Sequence, residues 1–83
     1  MKIKACYQTF QGTPVEIVEQ LRELLLDKAS APDVESYIGH IKRTYKMFTD
    51  TDMLLPDGAT DVRIREMFGY MEGLGILEVL PDA

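Results

Sequence analysis

Cys6 and His40 are the only thiol and the only imidazole in the sequence, and they are the side chains best suited to nucleophilic or acid–base chemistry. A thiolate beside an imidazole can act as a catalytic nucleophile if the two groups meet. Cys6 lies in an alternating segment and His40 beside an apolar helical stripe, and nothing in that placement brings them together. Both are therefore interpreted as structural residues, and we predict no catalytic residue and no enzyme activity.

Carboxylates gather at Asp50-Thr51-Asp52, with Asp57-Gly58 behind them, in superficial likeness to a calcium-binding loop. Such a loop also needs a glycine at its sixth position and a bidentate glutamate at its end, and both are missing. Glu19 and Glu23 form another carboxylate pair, but they lie on an outward helical face where solvated charge is the ordinary explanation. We predict no metal site and no acid–base dyad.

Three glycines near the end of the chain, Gly69, Gly73 and Gly75, could suggest a phosphate-binding loop. Phosphate and dinucleotide motifs run from a strand through the glycines into a helix. Here the glycines end a predicted helix and precede a predicted strand, which is the reverse order. The sequence therefore predicts no cofactor.

Basic residues support an alternative function, the binding of nucleic acid. They are Lys42, Arg43, Lys46, Arg63 and Arg65. In a winged helix-turn-helix, such residues on the second and third helices would contact phosphates while the third helix enters a major groove. The net charge of −5 and the eight Asp/Glu against two Lys/Arg in residues 50–83 oppose a polyanion. Nucleic acid is therefore the less favoured partner, and a winged-helix-like regulator remains the alternative hypothesis.

Length and composition limit the number of domains and the class of protein. With 83 residues, 46% hydrophobic and 28% charged, the chain suits one soluble globular domain over residues 1–83. A single cysteine makes no internal disulfide, and the opening residues lack the apolar run of a secretory signal. No apolar segment approaches the length that spans a bilayer. We expect a cytoplasmic protein with no membrane association.

The first half of the chain predicts a strand over residues 2–10 and then a helix. Ile3, Ala5 and Tyr7 alternate onto one face, while Phe10 has the wrong parity and suggests a bulge or a turn. Thr13-Pro14-Val15-Glu16 has the form of a capping box with proline at the first helical position. The amphipathic pattern predicts a helix from Pro14 to about Lys28.

The second half predicts two more helices and a closing strand. Ser30-Ala31-Pro32-Asp33 predicts a helix start, with Ser30 as a candidate cap, and the apolar stripe continues to about Phe48. A loop over Thr49 to Ala59 carries the apolar residues Met53-Leu54-Leu55, as a plug or a very short strand. The third helix begins at Thr60 and ends with Gly75 as a left-handed cap that returns Ile76 toward Met71. Residues 76–80 form the last strand.

The fold class predicted is α+β, with the order strand, three helices, strand, and with the helices on one face of two paired terminal strands. Two strands leave edges unpaired, and a homodimer that continues the sheet to four strands would cover them. The alternative is a monomer in which Met53–Leu55 supplies a third strand. The aromatic and methionine residues are predicted to form core rather than a groove for a partner helix. They are Tyr37, Tyr45, Met47, Phe48, Met67, Phe68 and Met71.

The stretch Gly12-Thr13-Pro14-Val15-Glu16-Ile17-Val18-Glu19-Gln20-Leu21-Arg22 resembles the Gly-Thr-Pro-x-Glu-Ile-Val helix start of a family of small bacterial proteins from phage-like or mobile regions. Members of that family also end in a helix, Leu-Gly-Ile and a short strand. The resemblance implies a prokaryotic accessory protein and carries no activity or site residue. We therefore expect a protein-interaction domain that associates with itself or with another protein.

Overall fold

The computed structural model describes residues 1–24 and 31–81. Its elements are β1 (Lys2–Ala5), β2 (Gln8–Gln11), α1 (Pro14–Arg22), α2 (Val34–Thr49), α3 (Thr60–Gly73) and β3 (Glu78–Leu80). The fold is α+β with three helices, as predicted. The order of the elements differs from the prediction in one respect, because the N-terminal segment forms a β-hairpin of two strands and not a single strand.

The predicted strand over residues 2–10 is wrong, because the chain reverses at Cys6-Tyr7. Both residues have positive φ, 53° and 63°, as the central residues of a type I′ hairpin turn do. Such turns are usually marked by Asn-Gly, so Cys-Tyr gives no sequence signal. The hairpin register places Ile3 opposite Phe10, which explains the parity of Phe10 without a bulge.

The sheet has three strands in the order β2-β1-β3, and both pairings are antiparallel. The predicted pairing of the terminal strands is confirmed, with Ile3 opposite Val79. The sequence had left the direction of this pair open. The helical crossover returns the chain so that the last strand runs against the first.

One face of the sheet carries the apolar residues. Phe10, Ile3 and Val79 lie in register across the three strands, and Ile3 is fully buried. On the other face Lys4 lies opposite Glu78, and both are exposed. Helix α1 contacts β2 and helix α3 contacts β3. The helices therefore cover one face, as predicted.

Helix α1 begins with the predicted capping box. The Glu16 N–H donates to Thr13 Oγ1 at 3.2 Å, and the Thr13 N–H donates to Glu16 Oε1 at 2.9 Å. The helix ends at Arg22 and not near Lys28, and the part of the prediction over residues 25–28 lies outside the described residues. The Arg22 side chain donates to the carbonyl oxygens of Ala31 and Pro32, which ties the end of α1 to the segment before α2.

Helix α2 is capped by Asp33, whose Oδ1 accepts the Ser36 N–H at 2.7 Å. The predicted capping role of Ser30 lies outside the described residues. The helix ends at Thr49, one residue beyond the prediction. Asp50 then adopts the left-handed conformation, with φ of 55°, and its N–H donates to the Lys46 carbonyl at 2.8 Å.

Helix α3 begins at Thr60 and closes with the predicted glycine cap. Gly75 has φ of 77°, its N–H donates to the Glu72 carbonyl at 3.0 Å, and the Ile76 N–H donates to the Met71 carbonyl at 3.3 Å. These two bonds define a Schellman motif. The following strand begins at Glu78 rather than Ile76, so the cap itself occupies the first residues assigned to the strand.

The segment Met53–Leu55 forms no strand, so the predicted monomer with this segment as third strand is wrong. The segment is instead the apolar plug that the sequence analysis gave as the other possibility. Met53 is buried in the core and Leu55 is partly buried. The Tyr70 hydroxyl accepts the Leu54 N–H at 3.3 Å and donates to the Leu54 carbonyl at 3.2 Å. These bonds hold the loop against α3.

A single cluster of buried apolar residues joins the sheet to the helices. Its largest fully buried members are Ile3, Ile17, Val18, Ile38, Ile64, Met67 and Phe68. Within residues 1–24 and 31–81, no helix has the length and apolar character needed to cross a membrane.

The turn predicts a stabilising substitution. Positive φ at non-glycine residues costs on the order of 1–3 kcal/mol each, and Tyr7 is fully exposed, so its side chain contributes little packing. We expect Cys6→Asn with Tyr7→Gly to raise the free energy of unfolding by about 1–2 kcal/mol in urea denaturation. The control Cys6→Ser with Tyr7→Ala keeps the strain and should change stability by less than about 0.5 kcal/mol. No gain from Asn-Gly would contradict a strained turn.

The helix caps predict an acid-sensitive stability. Hydrogen bonds from the Thr13 and Ser36 N–H groups lower the pKa values of Glu16 and Asp33 below their ordinary 4.5 and 3.8. Carboxylates with lowered pKa values stabilise the fold above the ordinary pKa, and that stability is lost as pH falls through the folded pKa. We expect Glu16→Gln with Asp33→Asn to flatten the acid side of a pH–stability curve measured by thermal unfolding. The charge-matched control Asp57→Asn with Glu66→Gln also removes two exposed carboxylates, neither of which caps a helix, and should leave the slope unchanged.

Candidate functional site

Cys6 and His40 lie in different elements, Cys6 in the turn between β1 and β2 and His40 in α2. Cys6 lies exposed at the hairpin tip, in a shallow depression shared with Gly75 and Ile76, and His40 is not among the residues that line it. His40 lies midway along α2 and is partly exposed. Tyr37 is a buried titratable residue of α2. Burial, with a smaller contribution from Cys6, raises its pKa to about 12. The Tyr37 hydroxyl is therefore protonated at neutral pH.

The acidic loop after α2 has a structural explanation. Asp50 ends the helix in the left-handed conformation, and Asp52 pairs with Lys46 at 3.5 Å. Among the residues that the structure describes, His, Cys, Asp and Glu side chains form no group of three able to hold a metal ion. Of the carboxylate pair Glu19 and Glu23, Glu19 lies in α1 and forms an ion pair with Arg22, and Glu23 is the C-cap of that helix.

The basic residues of the nucleic-acid hypothesis are divided among three places. Lys42, Arg43 and Lys46 lie on the exposed side of α2. Arg63 forms an ion pair with Glu35 at 2.8 Å. Arg65 is exposed on α3, in a depression that also contains residues of β3. Lys42, Arg43 and Lys46 therefore line one depression, and Arg65 lines another.

Helices α2 and α3 run in the same direction. Glu35 and Arg63, which form the ion pair, lie in the first turns of the two helices, and Tyr45 packs edge-on against Tyr70 in their second halves, with 5.2 Å between ring centroids. In a helix-turn-helix the two helices meet at a steep angle after a short turn. Here the ten residues between them return the chain to the starting end, which differs from that motif.

An apolar groove lies between the second halves of α2 and α3, with a volume of about 210 Å³. Its lining residues are Ile41, Thr44, Tyr45, Phe48, Met53, Met71, Leu74 and Ile76. Phe48 is 78% exposed and Ile76 is 54% exposed, so the groove opens to solvent. The prediction that Phe48 belongs to the core is wrong, because its side chain lines this open groove and is not covered from the other side.

A second concave surface lies on the other side of α2. We call it the basic surface, and its lining residues are Lys42, Arg43, Lys46, Met47, Asp52, Met53 and Leu54. Met47 is 83% exposed and Leu54 is 75% exposed. The prediction that Met47 belongs to the core is therefore also wrong, whereas Tyr37, Met67, Phe68 and Met71 are buried as predicted.

The edge of the sheet at β3 is closed from within the chain. The Val79 N–H points away from β1 and donates to Glu72 Oε2 of α3 at 2.8 Å. The strand has only three residues and is followed by Pro81, which has no N–H to donate. Short strands, charges and prolines are the usual means of keeping an edge from pairing.

The edge at β2 differs. Ala5 and Gln8 flank the two-residue turn and form a hydrogen-bonded pair. Because hydrogen-bonded pairs alternate with non-hydrogen-bonded pairs along an antiparallel ladder, the N–H and C=O groups of Thr9 and Gln11 point away from β1. The Gln11 carbonyl accepts Gln20 Nε2 at 3.1 Å. The four residues of β2 carry no charge. At this edge the N–H and C=O groups of Thr9 are therefore available to pair with a further strand.

Sequence reasoning missed these surfaces for identifiable reasons. The apolar stripe of α2 extends to Phe48, but periodicity alone does not say where the covering helix ends. The parity of Phe10 was the signal for the hairpin, and hence for an edge at β2. The closure of β3 by Glu72 depends on a contact between a helix and a strand that has no sequence signature.

No protein-family model matches the chain, and no curated protein and no solved structure matches it.

Proposed function

We propose that this protein is a small protein-interaction domain, which acts by associating with itself and with other protein chains and catalyses no reaction. The observation that carries the proposal is the difference between the two edges of its sheet. The β3 edge is closed by Glu72, while the β2 edge presents the backbone of Thr9 among uncharged side chains. An open, neutral edge is a template for a strand from another chain.

For self-association, the simplest arrangement is a homodimer in which β2 pairs with β2 of a second copy. On a two-fold axis at Thr9, the N–H of each threonine donates to the carbonyl of the other. Two copies of the three-stranded sheet then form one continuous antiparallel sheet of six strands. This replaces the four-stranded dimer expected from the sequence, because each chain contributes one more strand.

The apolar groove supports association with a further partner. Exposed aromatic and aliphatic side chains grouped around a concavity are typical of protein-binding surfaces. Phe48 and Ile76 extend from the two sides of the groove, and Met71 lies at its base. The groove is distinct from the β2 edge, so occupation of one leaves the other accessible.

Thr9→Pro tests the dimer. Proline removes the outward N–H of Thr9 but no hydrogen bond of the hairpin, and edge positions with a solvent-facing N–H tolerate it. By light scattering over a concentration series, we expect the wild type to reach twice the chain mass and Thr9→Pro to remain at the chain mass. Thr9→Ala keeps the N–H and should dimerise like the wild type. A wild type that stays monomeric at the highest concentration would refute the dimer.

Glu72→Ala tests the closure of the other edge. Removal of the carboxylate frees the Val79 N–H, so each chain would have two edges able to pair. We expect species larger than a dimer in sedimentation velocity, increasing with concentration. Glu72→Gln retains an oxygen acceptor and should stay dimeric. If Glu72→Ala behaves like Glu72→Gln, the carboxylate is not what closes β3.

A further inference from the structure

The basic surface on α2 concentrates positive charge in an acidic protein. Three of the nine Lys and Arg residues, Lys42, Arg43 and Lys46, lie within five consecutive positions, although the chain has a net charge of −5. Asp52 is the one carboxylate among the described residues that line this surface, and it pairs with Lys46 at 3.5 Å. Lys42 and Arg43 are both exposed, so the surface attracts negative charge from outside the molecule.

Apolar side chains stand among these cations. Met47 and Leu54 are both largely exposed and line the same concavity, whose volume is about 650 Å³. Methionine adapts its shape to different partners at little cost, which suits a binding surface. Leu54 is held in place through its backbone, since the Tyr70 hydroxyl bonds both its N–H and its carbonyl. The surface is thus partly preorganised, which lowers the entropy lost on binding.

We propose that the basic surface binds an acidic peptide segment of a partner protein, with apolar side chains seated on Met47 and Leu54 and carboxylates facing Lys42 and Arg43. The proposal rests on the proposed function as a protein-interaction domain and names the chemistry of one partner. A phosphate backbone would use the cations but would leave both exposed apolar side chains without a contact.

The test is a fluorescence-polarisation titration of the full chain with two synthetic helical peptides of about 16 residues. Both carry the same leucines at helical spacing; one is flanked by glutamates and the other by lysines. We expect the glutamate peptide to bind at least about tenfold more tightly, and this preference to shrink as salt is raised. Lys42→Glu with Arg43→Glu should raise the Kd for the glutamate peptide by about tenfold or more. Met47→Ser with Leu54→Ser should weaken the binding of both peptides.

Lys4→Glu with Arg65→Glu is the matched control, because it also reverses two exposed charges, and neither residue lines this surface. The affinity of this control for the glutamate peptide should stay close to that of the wild type. Every variant should give the same circular dichroism spectrum as the wild type. Equal binding of the two peptides, or no loss in the Lys42→Glu, Arg43→Glu variant, would overturn the proposal. So would tighter binding of duplex DNA or of anionic phosphatidylserine vesicles that depends on Lys42 and Arg43.

Light scattering on the same samples separates this proposal from the dimer. If the glutamate peptide fails to bind while the wild type dimerises and Thr9→Pro does not, the acidic-peptide proposal is wrong and association through β2 stands. If Lys42→Glu with Arg43→Glu abolishes the dimer itself, the occupant of the basic surface is a second copy, which also overturns an acidic partner.

Discussion

The structure depends on the position of Ile3 at the centre of the sheet. Ile3 is fully buried, with Phe10 opposite it on one side and Val79 on the other. A four-residue strand has too little surface to be stable alone, and a hairpin of two such strands is marginal in water. The strand at the end of the chain therefore has to return to β1, and the helices have to cover the row that these three side chains form.

That central position determines what the edges can do. Because β1 is paired on both sides, the two edges belong to β2 and β3, which differ in their surroundings. Helix α3 contacts β3, and its Glu72 reaches the outward N–H of Val79. Helix α1 contacts β2, and its Gln20 occupies only the carbonyl of Gln11. The same packing that builds the core closes one edge and leaves backbone groups of the other accessible.

The parallel arrangement of α2 and α3 determines the exposed surfaces. The Glu35–Arg63 ion pair and the Tyr45–Tyr70 contact join the two helices along their length. Surface ion pairs contribute little stability, so the aromatic contact and the buried plug Met53 are the more important links. Phe48, in the last turn of α2, extends beyond them, which opens the apolar groove on one side of the helix. The other side carries the basic surface.

Sequence patterns predict the local elements whose cause lies within a few residues. The capping box at Thr13 and Glu16, the start of α3 at Thr60 and the Schellman motif at Gly75 were predictable, because each depends on backbone hydrogen bonds between near neighbours. The α+β class and the pairing of the terminal strands also followed from the pattern of apolar residues. Tertiary structure decided the rest: a Cys-Tyr turn adopted without a turn signal, the early end of α1, and the exposure of Met47 and Phe48. These features depend on which distant segments meet, and periodicity shows that a side chain is apolar without showing what covers it.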